Sequence, residues 1–137
     1  MNKVAVSRNK NHELIMQCLF IALTYMHMEE EVDVMTIMSS VFKSDFNDID
    51  IFSRKVFTSA LSNYDKIVKK IEVHLKDWKW SRIARVAQAI LLMSYAHFYY
   101  AEKVDKAVVI NIAIHLAKKY LDANDYKYIN GVLDKVL

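Results

Sequence analysis

The residues best suited to chemistry lie near the C-terminus, where Tyr126, Lys127 and Tyr128 follow one another between Asn124 and Asn130. Aromatic rings stack on splayed nucleobases, amides bind base edges and a lysine contacts phosphates. This combination therefore suits a single-stranded nucleic acid. A half-buried tyrosine pair with one exposed lysine between its members would explain the same residues without any ligand.

Charged residues are unevenly distributed, although the net charge is only +3. Residues 1–12 contain three bases and no acid, residues 28–50 contain seven acids and one lysine, and residues 51–85 contain nine bases and three acids. Such segregation can make one face of a fold attractive to phosphates. Ordinary solvated helix faces produce the same pattern.

No arrangement in the sequence points to catalysis. The five histidines are scattered, and none has a second His, a Cys or a carboxylate at a convincing metal-ligand spacing. Cys18 lies beside an apolar stripe and is typical of a small core residue. Gly131 is the only glycine, which excludes a glycine-rich phosphate-binding loop. We therefore predict a protein that is not an enzyme and needs no metal or cofactor.

The elements that must position these residues are helices. The chain has 137 residues, 54% of them apolar, with one glycine, no proline and one cysteine. Tight β-hairpin turns depend on Gly and Pro, so this composition predicts a compact all-α domain. A single cysteine excludes an intrachain disulfide and favours a reducing, cytoplasmic compartment. The start of the chain lacks the pattern of a secretory signal.

The most apolar segment runs from Ile83 to Ala101. It includes Arg85, Gln88 and His97, each of which is costly in hydrocarbon, so we predict a buried central helix rather than a membrane span. Apolar residues at helical spacing predict further helices before and after this segment, with a break near residues 62–64 in the third helix. We expect N-terminal helix caps at Asp48, Ser81, Asp105 and Asp122.

The glycine at position 131 falls inside the last apolar stripe. A glycine within a helix costs about 1 kcal/mol relative to alanine, so its presence calls for a reason. We predict that another helix backbone approaches closely there. A helix end at residues 130–131 is the alternative.

Three segments of the chain share a pattern of residues with one known protein family. The C-terminal segment KAVVINIAIHLAKKYLDANDYKYINGVLDK is similar to the family signature, and its INGVLD block is the most specific part. The segment WKWSRIARVAQAILL resembles the family's Trp-x-x-x-Arg-Leu motif before the central helix. Near the start, Glu13, Gln17 and Leu19 of SRNKNHELIMQCLF match the family's R-E-x-A-x-Q-x-L-Y pattern. With these three segments, the chain resembles the NusB family of bacterial transcription antitermination factors.

The resemblance implies one NusB-like RNA-binding domain over residues 1–137. Its architecture would be a compact bundle of about six or seven helices in two packed subdomains, residues 1–76 and residues 77–137. Family members bind boxA RNA, a single-stranded element of ribosomal RNA leader transcripts, together with the ribosomal protein NusE. They do so within a complex that carries RNA polymerase past terminators.

The resemblance also implies which residues contact each partner. The RNA surface would comprise residues of the basic start and of the last helix: Arg8, Lys10, His12, Asn124, Lys127 and Tyr128. The NusE edge would follow the central helix: Arg82, Arg85, Gln88 and Leu92. We expect the basic start and the start of the last helix to lie side by side.

Several polar positions depart from the family pattern. The arginine cluster near the start is thinned to Arg8, Asn9, Lys10 and His12, and the central helix has Ala87 and Leu92 where the family has an acid and an arginine. Ile112 and His115 replace the two acids of the family's N-E-A-I-E motif. An alternative is therefore a protein–protein module of the same fold that has lost RNA binding, as a monomer or a homodimer.

Overall fold

The computed structural model describes residues 8–76 and 78–137. Within these residues it contains seven α-helices and no β-strand, which confirms the all-α prediction. The helices are α1 (Arg8–His27), α2 (Val34–Phe42), α3 (Ile51–Ser62), α4 (Tyr64–Glu72), α5 (Arg85–Ala96), α6 (Lys106–Tyr120) and α7 (Ala123–Val136).

Helix α5 is the central element. It packs against α1, α3, α4, α6 and α7, and every residue from Ala89 to Ala96 is buried. Its neighbours contribute Ile15 of α1, Phe57 of α3 and Ile129 of α7 to the same hydrophobic core. A helix that is apolar on most of its surface has to be covered on several sides, and α5 meets this requirement.

Aspartate caps fix the starts of several helices. The side chain of Asp122 accepts a hydrogen bond from the backbone N–H of Asp125, at 3.1 Å, at the start of α7. The cap of α3 is Asp50, whose carboxylate accepts from the backbone N–H of Ser53 at 2.9 Å. The prediction of Asp48 was wrong, because Asp48 closes a separate 3₁₀ turn, Phe46–Asp48.

The connection before α5 is longer than predicted. Residues Trp80–Arg82 form a 3₁₀ turn and Ile83 is extended, so α5 begins at Arg85. The prediction of Ser81 as its cap was therefore wrong. The break near residues 62–64 is confirmed, because Asn63 separates α3 from α4.

The C-terminal end of α5 widens into one π-helical turn, His97–Ala101. His97 is buried there, and its Nε2 lies 2.6 Å from a carboxylate oxygen of Glu102. This widened turn places His97 against His12, near the start of α1.

Gly131 does not mark a close approach of two helices. It lies on an exposed face of α7, and a Cβ atom built there would have no neighbouring atom within 4 Å. The prediction of close packing was wrong, because the buried face of α7 is formed by Ile129, Val132 and Leu133 instead.

The open surroundings of Gly131 lead to a simple prediction. Gly131→Ala is expected to raise the free energy of unfolding by about 1 kcal/mol, since alanine has less backbone freedom to lose in a helix. Urea unfolding followed by circular dichroism at 222 nm measures the change. A loss of stability would contradict the exposed position of this residue.

Candidate nucleic-acid interface

The first turn of α1 displays two cations. Arg8 donates to a carboxylate oxygen of Glu102 at 2.7 Å, and its guanidinium lies 3.9 Å from the centre of the Phe52 ring. Lys10 lies 3.6 Å from Glu13. About half of each cationic side chain is exposed, so both can approach a phosphate while these contacts orient them.

Glu13 ties the start of α1 to the end of α6. Its carboxylate accepts hydrogen bonds from Lys119, at 2.7 Å, and from the hydroxyl of Tyr120. These bonds, that of Lys119 first, lower the pKa of Glu13 to about 2. The carboxylate is therefore ionised at neutral pH and holds Lys119 beside Lys10.

His12 lies beneath this surface and not on it. It is 2% exposed, stacks on His97 with ring centres 5.4 Å apart, and meets the edge of Phe52. Burial above all, and then the neighbouring His97, lower the pKa of His12 to about 4. The open RNA-contacting position that the resemblance implies for His12 does not match this burial.

The polar residues at the start of α7 differ in their exposure to solvent. Asn124 and Lys127 are exposed. Tyr128 is half-buried and its hydroxyl donates to the backbone carbonyl of Leu75 at 3.0 Å, which ties α7 to the segment that follows α4. Tyr126 packs against the core, and the ammonium of Lys118 lies 5.2 Å from its ring centre.

Asn124 and Tyr128 line a cavity of about 410 Å³ between α7 and the start of α5. We call it the α5–α7 cavity, and its lining is Trp78, Arg82, Ile83, Ala84, Ala87, Asn124, Asp125, Tyr128 and Ile129. Trp78 is 55% exposed, an unusual position for so large an apolar ring. A planar base could stack there, with Arg82 available for a phosphate.

Trp78 is absent from the set of RNA-contacting residues predicted from the sequence. The signal was present in its motif, Trp-x-x-x-Arg, which pairs it with Arg82 four residues later. The sequence could not show that this pair faces Asn124 and Tyr128, because α7 is distant along the chain.

The basic start and the start of α7 are joined indirectly. Lys119, on the last turn of α6, meets Glu13 of α1, and the adjacent Lys118 covers Tyr126 of α7. Asn124 and Tyr128 face the α5–α7 cavity instead. The end of α6 therefore contacts both the start of α1 and the start of α7.

The four residues assigned to a protein-binding edge do not form one surface. Arg82 lines the α5–α7 cavity. Arg85 donates to the hydroxyl of Thr24 at 3.1 Å, and Gln88 donates to the carbonyl of Trp80 at 2.8 Å. Leu92 is fully buried in the core, so its assignment to an exposed edge was wrong.

An apolar groove lies beside this region and was not predicted. It has a volume of about 530 Å³ and is lined by residues of α1, α2 and α5 together with Tyr120: Met16, Gln17, Phe20, Ile21, Ser40, Val41, Lys43, Val86 and Tyr120. Phe20 is exposed, and the guanidinium of Arg85 lies 5.9 Å from its ring centre. The groove and Arg85 therefore form a continuous face.

The one cysteine is chemically inert in this fold. Cys18 is buried in the core, and burial raises the pKa of its thiol to about 12. It therefore stays protonated, whereas nucleophilic and metal-binding cysteines act as thiolates.

Across residues 8–76 and 78–137, none of the helices has the length and apolar character needed to cross a membrane.

Comparison with known proteins extends over nearly the whole chain. Residues 9–137 match the model of the NusB family. The transcription antitermination protein NusB of Clostridium perfringens strain SM101 is 34% identical over 134 residues, which cover 96% of each chain. The NusB of Macrococcus caseolyticus is 29% identical over 133 residues, covering 96% of this chain and 97% of that protein.

Solved structures agree in fold. T. maritima NusB superposes with a TM-score of 0.79 at 22% identity, covering 96% of this chain and 90% of that chain. A chain from the crystal structure of antitermination factors NusB and NusE in complex with dsRNA gives a TM-score of 0.72 at 19% identity, covering 96% and 97%. The sequence relationship and the shared fold together show that this chain belongs to the NusB family of transcription antitermination proteins.

Proposed function

We propose that the chain is a non-catalytic, cytoplasmic adaptor that binds boxA-type single-stranded RNA of ribosomal RNA leader transcripts. It would act with a NusE-type ribosomal protein in an antitermination complex of RNA polymerase. The observation that carries the RNA part is the α5–α7 cavity, where two aromatic rings, Trp78 and Tyr128, share a surface with Arg82 and Asn124.

The cations near the start of α1 and the α5–α7 cavity have different roles in this proposal. Arg8, Lys10 and Lys119 attract phosphates, which fixes the strand on the protein without reading its sequence. The α5–α7 cavity supplies base stacking, which depends on unpaired nucleotides. The proposal therefore favours single-stranded over double-stranded RNA.

The protein partner has a separate surface. The structure that contains both NusB and NusE superposes on this chain over 96% of its length. The face formed by Phe20, Arg85 and the apolar groove offers an aromatic ring and a cation next to open apolar surface. Aromatic residues and arginine are enriched in protein interfaces, so we place the NusE-type partner there.

The central test of RNA binding is the variant Trp78→Ala. We expect it to weaken binding of a fluorescein-labelled boxA-type RNA by about tenfold, since stacking on one aromatic ring contributes about 1–3 kcal/mol. Fluorescence anisotropy at fixed salt measures the affinity. Because Trp78 is exposed, the midpoint of urea unfolding should stay within error of the unsubstituted protein.

Tyr25→Ala is the matched control, because Tyr25 is an exposed aromatic residue outside the α5–α7 cavity. It should keep full RNA affinity. Equal affinity of the Trp78 variant and the unsubstituted protein, with and without NusE present, would reject the cavity as the stacking site. Absence of RNA binding by the unsubstituted protein in low salt, with NusE bound, would favour the protein–protein module instead.

A further inference from the structure

A second, smaller cavity opens between α1 and α6. We call it the α1–α6 cavity; its volume is about 250 Å³, and its lining comes from α1 (Asn9, His12) and from α6 (Asn111, Ile112, His115, Leu116). The rim residues Asn9, Asn111 and His115 are exposed, whereas His12 and Leu116 are buried. The cavity thus has a polar rim and a floor that is apolar except for one imidazole.

That imidazole is enclosed and has no hydrogen-bond partner. Both ring nitrogens of His12 are inaccessible and lack a hydrogen bond. His97 stacks on one side of the ring, and Phe52 meets it edge-on. A buried polar group without a partner is costly, and in native proteins such a group calls for an explanation, for example a ligand that satisfies it.

The chemistry of the lining restricts the ligand. Neutral imidazole has one donor and one acceptor nitrogen, and each amide at the rim offers both donors and an acceptor. Asparagine and aromatic or apolar side chains are the groups that read the edges and faces of nucleobases. Pockets for drug-sized ligands measure ~300–1,000 Å³, so a cavity of this size suits a single small ring system.

A metal ion fits the lining less well. Across the described ranges, 8–76 and 78–137, no group of three or more His, Cys, Asp or Glu side chains could hold a metal ion. Two histidines with amides make a poor set for zinc, which takes at least three strong protein ligands.

The neighbours of the cavity match a nucleotide chain. Arg8 and Lys10 flank Asn9 along α1, and about half of each side chain is exposed. Lys119 is on the same helix as His115, one turn further along. A strand whose phosphates meet these cations would pass over the mouth of the cavity.

We propose that the α1–α6 cavity receives one unstacked base of the bound RNA. The exposed amides of Asn9 and Asn111 read its hydrogen-bonding edge at the rim, and a small opening of the floor lets the base reach the buried imidazole of His12. This inference rests on the proposed function, and it assigns sequence-specific readout to Asn9 and His12, which depart from the family pattern, together with Asn111, which keeps the asparagine of the N-E-A-I-E motif. The α5–α7 cavity would then supply stacking, and the α1–α6 cavity would supply base selection.

Abasic scanning tests the proposal. A labelled boxA-type RNA is made with each nucleotide in turn replaced by an abasic one, and each version is titrated against the unsubstituted protein and Asn111→Leu, which fills the rim. We expect one position where the abasic RNA binds the unsubstituted protein about tenfold more weakly. At that position the Asn111 variant should show less than about a twofold difference, because base and residue act as a pair.

Asn47→Ala is the matched control, because Asn47 is an exposed asparagine outside this lining, and it should retain the tenfold penalty. A second readout is the ¹⁵N spectrum of the His12 imidazole. Intact RNA should shift its nitrogen resonances, and the RNA lacking the critical base should not.

The outcomes separate this inference from the function on which it rests. One outcome is that the unsubstituted protein binds RNA while each abasic position weakens binding equally in that protein and in the Asn111 variant. In that case the α1–α6 cavity does not read a base, and the proposed function stands. If the unsubstituted protein binds no RNA, both are rejected. If zinc ions shift the His12 resonances and RNA does not, the cavity is a metal site and the inference is wrong.

Discussion

Leu92→Arg is expected to destabilise the fold by about 4 kcal/mol or more, because it places an unpaired charge in the core. Leu92 is fully buried within α5, among side chains from the other helices. Domains of this size have a total stability of ~5–15 kcal/mol, so a large fraction of the variant should be unfolded. Urea unfolding followed by circular dichroism at 222 nm gives the free energy.

Two comparisons identify burial as the cause. Leu92→Ala should lose about 2–5 kcal/mol through the cavity that it creates. Arg82→Ala, at an exposed position in the 3₁₀ turn before α5, should change stability by less than about 0.5 kcal/mol. A Leu92→Arg variant with unchanged stability would mean that this side chain lies at the surface, as the sequence had led us to expect.

Leu92 shows where helical periodicity is a reliable guide and where it is not. Arg85, Gln88 and Leu92 do share one side of a helix, since residues three or four apart lie together. The sequence does not say how far along that side the neighbouring helices extend. Here the first two residues are half-buried and the third is within the core, so the polar edge ends before Leu92.

Local signals predicted the helices, while the cavities depend on contacts between distant segments. The cap at Asp122 and the break near Asn63 follow from short-range patterns, and the structure places them as expected. Asp105 occupies the predicted N-cap position of α6, but its side chain makes no capping hydrogen bond. By contrast, Glu13 and Lys119 are separated by 106 positions, and nothing in either segment indicates their ion pair. The sequence therefore identified the helices that carry the candidate sites but not the residues that face each other.

The second large effect is a loss of stability in weak acid, caused by His12. Its pKa falls from an ordinary 6.5 to about 4 in the folded chain, because burial and His97 oppose its protonation. Below pH 6.5 the unfolded chain binds a proton that the folded chain excludes. The stabilising contribution is complete above pH 6.5 and is lost progressively until about pH 4, a total of about 3 kcal/mol.

This window is distinct from that of Glu13. The pKa of Glu13 is lowered from 4.5 to about 2, so its contribution is present above pH 4.5 and is lost as the pH falls towards 2. Burial also lowers the pKa of His97, against the opposing effect of Glu102. Between pH 6.5 and 4.5, acid sensitivity therefore reports mainly on the stacked histidines.

Urea unfolding at pH 7, 6, 5 and 4.5 measures the effect, and His12→Leu isolates it. Leucine cannot take up a proton, so we expect stability to depend less steeply on pH in this variant. His27→Gln changes an exposed histidine and should leave the dependence as it is in the unsubstituted protein. A ring-proton NMR titration of His12 adds an independent reading, because a midpoint near 6.5 instead of about 4 would show that the imidazole is open to solvent. The buried floor of the α1–α6 cavity would then be excluded along with the acid sensitivity, since both depend on the same enclosed ring.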